Sequence, residues 1–187
     1  MENQENAQTL ILLRNFLSLQ QRRAEAYAKL RDGFAEYMVS RAESIYQQLC
    51  SEITVEFCDC SKHVRDIESQ FLKPDSFRED LARLLRAVQE QEKQKLHLTA
   101  TIQVLKKAGR PSDRLVTHEN CRFKQPMVHE CVHVHELTDS AGTEEAEADA
   151  EYDNALKEAI QGVQEAVTSI NELLEEVRYE IAALESE

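Results

Sequence analysis

The sequence predicts an all-α protein, built as an elongated helical bundle or helical hairpin. Only 4 Gly and 3 Pro occur in 187 residues, too few for the many tight turns of a β-sandwich or an α/β enzyme. Hydrophobic residues make up 42% and charged residues 30% of the chain, a mixture typical of amphipathic helices. Apolar residues also recur at steps of three and four, as they do on one face of a helix. We therefore expect a single helical domain over residues 1–187.

We predict a first helix over about residues 7–72, ended by Pro74. Whether this helix is broken stays open, and Ile53–Val55 is the place where a break or kink is most expected, because β-branched residues have weak helix propensity. The predicted buried stripe comprises Leu13, Leu17, Ala24, Tyr27, Phe34, Met38, Ala42, Ile45, Leu49, Ile53, Phe57, Cys60, Val64, Ile67 and Phe71.

A second helix is predicted over about residues 76–107. Ser76 with Glu79 has the spacing of a capping box, and Gly109 and Pro111 stop the helix. Polar residues at Gln91 and Lys95 interrupt its stripe of Phe77, Leu81, Leu84, Val88, Leu98, Ile102 and Leu105. A short connection lets this helix run antiparallel to the first.

The third predicted helix covers about residues 152–185 and has the spacing of a coiled-coil seam. Its seam is Leu156, Ile160, Val163, Val167, Ile170, Leu174, Val177, Ile181 and Leu184. The opposite face is acidic, with Glu158, Glu165, Glu172, Glu175 and Glu176. We expect that face to be solvated and the seam to pack on the other helices.

Residues 109–153 are predicted to be irregular, as a His/Cys-rich loop (109–138) and a disordered acidic linker (139–153). The loop holds six residues that are zinc ligands by type: His118, Cys121, His129, Cys131, His133 and His135. They lack a C-x-x-C pair, and neighbouring ligands two residues apart on a strand do not converge on one tetrahedral ion. We therefore expect no metal and no cofactor, and an extended segment that packs its valines instead.

Charge is unevenly distributed along the chain. Residues 139–187 carry 15 acidic and 2 basic residues, which account for the whole net charge of −13, whereas residues 1–138 carry 20 of each. No positive field collects nucleic-acid phosphates, so direct nucleic-acid binding is not expected. The small basic run of Lys106, Lys107, Arg110 and Arg114 suits the end of a helix.

Targeting signals and catalytic motifs indicate the location and the kind of activity that we expect. We find no secretion signal and no run near the ~20 apolar residues of a membrane span, so we expect a nuclear and/or cytoplasmic protein that is not secreted. Phosphate-binding loops and nucleophile elbows are absent, so no enzymatic activity is expected. Cys58, Cys60 and His63 could be imagined as a thiol and its base, but the spacing places Cys60 in the apolar stripe as a core residue.

Two blocks resemble a known family. One is Gln20-x-x-Arg23-Ala24-x-x-Tyr27 with Gly33, Phe34 and Tyr37; the other is Cys50-x-Glu52-Ile53-Thr54-x-x-Phe57 with Ser61, Val64 and Ile67. Together with the closing helix, at Ile170–Leu173 and Val177–Glu180, they resemble the "required for excision 1-B" DNA-repair family. The resemblance implies a small helical protein of nucleotide excision repair and no catalytic residues.

We expect an accessory or adaptor protein that uses its helices to bind protein partners, which could include excision-repair factors. The oligomeric state of the protein stays open. The candidate contact residues are Tyr37 and Tyr46, which we expect to be exposed, with Arg22, Arg23 and Arg41 of the first helix, because Tyr and Arg are enriched at binding hot spots. The two neighbouring arginines could instead be solvated or paired with the acidic last helix. The alternative function is a coiled-coil scaffold in a cytoskeletal or ciliary complex.

Overall fold

The computed structural model describes residues 2–74, 78–113 and 139–186. These residues form four α-helices, α1 (Glu2–Ser40), α2 (Glu43–Phe71), α3 (Glu79–Ala108) and α4 (Asp139–Ser186), and a 3-10 helix, Pro111–Asp113. No strand occurs among them, and the prediction of an all-α bundle is confirmed. None of the described helices is long and apolar enough to cross a membrane.

The chain divides into two compact units. The first comprises Met1–Leu98 and Gly162–Glu187, and therefore contains α1, α2, most of α3 and the C-terminal half of α4. The second, Thr99–Gln161, contains the end of α3, the 3-10 helix and the N-terminal half of α4. The assignment of residues 1–187 to one domain stays a prediction.

The predicted first helix is two helices, and the break does not lie at Ile53–Val55, where weak helix propensity suggested it. The chain turns instead at Arg41, which has a φ of 57° and whose N–H donates to the Tyr37 carbonyl at 2.8 Å. Neither Gly nor Pro marks this turn. Ile53 is buried, and the Thr54 hydroxyl donates to the Cys50 carbonyl at 2.7 Å, so the β-branched residues stay in an unbroken helix. Packing thus overrides their weak propensity.

Helix α2 follows its predicted stripe closely. All six of its predicted positions from Ile53 to Phe71 are buried. Ile53 and Phe57 pack with Ala26 and Leu30 of α1 in a smaller cluster. The other four meet buried residues of α1 and α3, and Val177 of α4, in the main core of the first unit. That core comprises Leu12, Leu13, Phe16, Leu19, Cys60, Val64, Ile67, Phe71, Leu81, Ala82, Leu85, Val88 and Val177.

The predicted stripe of α1 needs correction. Phe16 is fully buried although it lay outside the stripe, and Ala24 inside it is exposed. Ile45, a stripe position that falls in α2, is exposed as well. Helix α1 buries a wider face than one stripe, because residues of α2, α3 and α4 all belong to the core that it contacts. A single stripe of apolar positions can account for the packing of α1 against only one of these helices.

Helix α3 begins at Glu79, and Ser76 lies outside the described residues. Leu81 and Val88 are buried as predicted, with Ala82 and Leu85 beside them. Lys106 and Lys107 lie in its last turn, as the basic run predicts. Gly109 then takes a φ of 75°, a conformation that favours glycine.

The prediction of a disordered acidic linker is wrong, because residues 139–153 form the first turns of α4. Acidic side chains are favourable near a helix N-terminus, and alanines interspersed among them have high helix propensity. Arg110 also contacts Asp149 at 3.4 Å and Asp153 at 2.6 Å, and the Ser112 N–H donates to the Asp149 carboxylate at 3.0 Å. These contacts, within the second unit, hold the pKa of Asp149 below its ordinary value.

The predicted seam of α4 is only partly buried. Ile170 and Val177 are buried, whereas Ile160 is exposed. Two small residues that the seam omitted, Ala159 and Ala166, are buried as well. The five glutamates assigned to the opposite face are all exposed, as predicted.

Candidate interaction surfaces

An aromatic cluster lies where α1 turns into α2. Tyr37 and Tyr46 stack with ring centroids 4.8 Å apart, and Phe34 lies 5.7 Å from Tyr46 and 6.2 Å from Tyr37. The stack joins the last turn of α1 to the first turns of α2. We call this region, with Val39 and Ile45, the hairpin tip.

Gly33 lets the two helices approach each other beside this cluster. A Cβ at Gly33 would lie 2.0 Å from Leu49 Cδ2, so the Leu49 side chain occupies the space that any other residue would fill. The Gly-Phe-x-x-Tyr string therefore has a structural reason: glycine admits Leu49, and Phe34 and Tyr37 supply two rings of the aromatic cluster.

The hairpin tip leaves large apolar side chains in solvent. Val39 is 87% exposed and Ile45 is 67% exposed. Ile45 also lines a cleft of about 510 Å³ between the two helices, together with Tyr37, Tyr46 and Leu49. Exposed large apolar groups beside a rigid aromatic cluster are typical of protein-binding sites.

The predicted contact residues differ in their exposure. Arg41 is exposed at the tip, and Tyr46 is half-buried there, where burial raises its pKa. Tyr37 was predicted to be exposed but is buried, because Phe34 and Tyr46 cover its ring. Tyr37 therefore supports the exposed surface as a buried residue.

Arg22 pairs with α2 and not with the last helix. Its Nε and Nη2 donate to Glu56 and Asp59, each at 2.8 Å. Hydrogen bonds to the two carboxylates, chiefly to that of Glu56, raise the pKa of Arg22. Arg22 in turn lowers the pKa of Asp59. The guanidinium is thereby committed to a structural ion pair.

Arg23 is buried, only 2% exposed, in a polar cluster that joins α1, α2 and α3. Its guanidinium donates to Gln20 at 2.8 Å, to the Ser61 hydroxyl at 3.0 Å and to Gln89. The Gln89 amide donates onward to the Ser61 carbonyl at 3.2 Å. Desolvation lowers the pKa of Arg23, but its hydrogen bonds and the nearby Glu92 carboxylate compensate for burial of the charge.

Glu92 extends this cluster along α3. Its carboxyl group is buried, and Oε2 has no hydrogen-bond partner among the residues that the structure describes. The Tyr27 hydroxyl donates to the Glu92 carbonyl at 3.4 Å, and Lys95 Nζ lies 3.8 Å from the Tyr27 ring centroid. Burial raises the pKa of Tyr27 and lowers that of Lys95.

A second cleft, of about 620 Å³, opens over this polar cluster, and we call it the three-helix cleft. Tyr27, Phe57 and Leu96 are its apolar lining residues. Its polar lining residues are Arg23, Ser61, Arg65, Arg86, Gln89, Glu90, Glu92, Lys93 and His97.

The sequence did not predict Gln20, Ser61, Gln89 or Glu92 as site residues, yet a signal for some was present. Glu92 follows the buried Leu85 by seven residues and Val88 by four, so it continues the apolar spacing of α3. Arg23 similarly follows Phe16 by seven and Leu19 by four. A charged residue at such a position indicates a buried polar group.

Cys60 lies in the core, as predicted, and is completely buried. Burial raises the pKa of its thiol, so the reactive thiolate is disfavoured. His63 contacts the Asp59 carboxylate at 3.4 Å on the exposed side of α2. The pair is therefore not a nucleophile with its base.

The six potential zinc ligands between His118 and His135 all lie outside the described residues, as does Arg114. Within the described ranges, no group of three or more His, Cys, Asp or Glu side chains could hold a metal ion. The prediction of no metal in the His/Cys-rich loop stays a prediction.

Comparison with known proteins identifies the family. The model of the DNA repair REX1-B family matches residues 11–106, from the start of the core-forming part of α1 to the end of α3. Both blocks that suggested the resemblance lie in this range, whereas the closing helix lies beyond it. Comparisons with curated proteins and with solved structures gave no match. Because the family model covers about half of the chain and contains both blocks, the chain belongs to the DNA repair REX1-B family.

Proposed function

We propose that this DNA-repair protein is a non-enzymatic accessory or adaptor subunit of nucleotide excision repair. It works in the nucleus by binding another protein of the pathway through its helices. Family membership supports the link to repair. The observation that carries the contact mechanism is the exposed apolar pair Val39 and Ile45 at the hairpin tip.

The hairpin tip is suited to binding because its base is rigid. The rings of Phe34, Tyr37 and Tyr46 are fixed against one another, so a partner that covers Val39 and Ile45 orders few additional side chains. Complete burial of a valine or isoleucine contributes about 1.5–3 kcal/mol. Two such residues therefore supply a useful part of a protein–protein affinity.

The cleft below Ile45 also restricts the partner. Asp32, Glu36 and Glu52 line it, against one lysine, Lys29. A partner helix with apolar residues and a basic flank complements this surface, whereas an acidic one is repelled.

Affinity purification of the tagged full chain, with and without ultraviolet damage, tests the proposal. Proteins that remain bound are identified by mass spectrometry for three forms: wild type, Val39→Asp/Ile45→Asp, and the control Ile11→Asp/Val55→Asp. Ile11 and Val55 are 52% and 69% exposed on α1 and α2, and they do not line the tip cleft. The control thus makes the same chemical change on the same two helices.

We expect wild type and control to retain excision-repair factors and the tip variant to lose them. Equal recovery by all three forms would eliminate the tip as the contact surface. Recovery of tubulin-associated or motor proteins, without repair factors in either condition, would replace the proposal by the coiled-coil scaffold of a cytoskeletal or ciliary complex.

A further inference from the structure

The three-helix cleft is a basic site in an acidic protein. Five basic side chains line it beside two acidic ones, Glu90 and Glu92; the basic ones are Arg23, Arg65, Arg86, Lys93 and His97. The whole chain carries a net charge of −13. The cleft therefore differs in sign from most of the molecule and from the acidic cleft at the hairpin tip.

Two of these cations are available to a ligand. Arg65 is held only through Nε, which donates to the Ser61 carbonyl at 3.3 Å; its terminal nitrogens have no hydrogen bond to the described part of the chain. Lys93 is 78% exposed and lies 3.9 Å from Glu90, at the limit of an ion pair. Arg86, by contrast, is already paired with Glu68.

The apolar lining does not suit a nucleic-acid base. Phe57 lies against Tyr27 with ring centroids 4.7 Å apart, and Lys95 covers the Tyr27 ring at 3.8 Å. Base stacking needs a free aromatic face. Glu90 and Glu92 in the same cleft would also repel a continuous row of phosphates.

The mixed charge of the cleft points to a peptide. Glu90 and Glu92 line it together with the basic residues, so the cleft holds acceptors beside cations. A peptide brings backbone N–H donors beside its side chains, so its donors suit the exposed Glu90 while its carboxylates meet the cations. A polyphosphate backbone offers no such donor.

We infer that the three-helix cleft binds a short acidic segment of another protein. An apolar side chain of that segment packs on Phe57 and Leu96, and its carboxylates contact Arg65 and Lys93. The site is separate from the hairpin tip, and the inference does not depend on the proposed repair role. It gives the chain two surfaces of opposite charge preference, which is what a bridging protein needs.

Selection from a phage-displayed library of random 16-residue peptides tests the inference. The full-length protein is the bait, and enriched peptides are then measured by fluorescence anisotropy against three forms: wild type, Arg65→Glu/Lys93→Glu, and Lys62→Glu/Arg83→Glu. Lys62 and Arg83 are exposed on the same two helices but do not line the cleft, so the control has the same net charge. Oligothymidylate of 15 nucleotides is measured in parallel.

We expect enriched peptides that combine Asp or Glu with one or two large apolar residues. Their affinity should fall at least tenfold in Arg65→Glu/Lys93→Glu and change less than twofold in the control. The inference fails if no peptide is enriched, if enriched peptides are basic, or if both charge variants lose affinity equally. It also fails if oligothymidylate binds at the cleft in place of the peptides, because the ligand would then be nucleic acid.

Discussion

Replacement of Arg23 is the sharpest test of the polar cluster. Arg23→Met keeps most of the volume of the side chain but removes its charge and its donors. Gln20, Ser61 and Gln89 then lose the group that donates to them, and the buried Glu92 carboxylate loses its cationic neighbour. The first unit should be destabilised without a change of fold.

The burial of the cluster sets the size of this effect. A hydrogen bond to a charged group contributes about 1.5–3 kcal/mol, and removal of one partner from a buried charge pair costs about 3–5 kcal/mol. These contributions overlap, so we expect a total loss of about 3–5 kcal/mol. Arg22, the adjacent arginine, makes two ion pairs but is 38% exposed. Because solvent screens such pairs, Arg22→Met should cost about 0–1 kcal/mol.

Urea unfolding followed by circular dichroism at 222 nm measures both variants, with Arg22→Met as the matched control. Glu92→Gln is added to the Arg23→Met background to complete a double-mutant cycle. Because the uncharged amide no longer needs a cation, we expect a favourable coupling of about 1–3 kcal/mol. Equal losses for Arg22→Met and Arg23→Met, or a coupling near zero, would refute the view of Arg23 and Glu92 as a mutually stabilising buried pair.

Three further predictions concern local contacts. Arg78 lowers the pKa of Asp80, so this carboxylate stabilises the fold above about pH 4, and its contribution is lost as pH falls through the lowered pKa. In urea titrations between pH 5 and 2, the unfolding free energy of Asp80→Asn should therefore fall less steeply with pH than that of wild type. The same pH dependence in both forms would contradict this. Arg41 has a φ of 57°, so Arg41→Gly should raise the unfolding free energy by about 1 kcal/mol in urea titrations while Arg41→Val lowers it, and the opposite order would be inconsistent with strain there. Gly33→Ala should cost about 1–3 kcal/mol because the new Cβ meets Leu49, and less in a Leu49→Ala background; thermal unfolding of the four forms measures the difference, and equal costs would exclude the steric explanation.

The sequence predicted the helices best where one face is buried against its neighbours. In α2, the spacing from Ile53 to Phe71 identifies every buried residue of the helix. It failed at Arg41, because a turn without Gly or Pro has no local signal and depends on the stacking of Tyr37 and Tyr46. It failed again at residues 139–153, where helix propensity and ion pairs to Arg110 outweigh charge repulsion.

The candidate surfaces were less accessible to sequence reasoning. Arg41 is exposed and Tyr46 only half-buried, but burial of Tyr37 and Arg23 depends on which helices lie opposite them. The three-helix cleft depends in the same way on the meeting of α1, α2 and α3. The spacings of Arg23 and Glu92 were the local indications of buried charges there.

Rescue of excision repair tests the central claim most directly. Cells that lack the protein receive wild type, Val39→Asp/Ile45→Asp or Ile11→Asp/Val55→Asp at equal levels, and removal of ultraviolet lesions is followed over time. Substitutions at such exposed positions should each change stability by less than about 0.5 kcal/mol. We predict that wild type and control restore lesion removal and that the hairpin-tip variant does not. Full rescue by the tip variant would contradict the claim that this protein acts in repair by binding a partner through the hairpin tip.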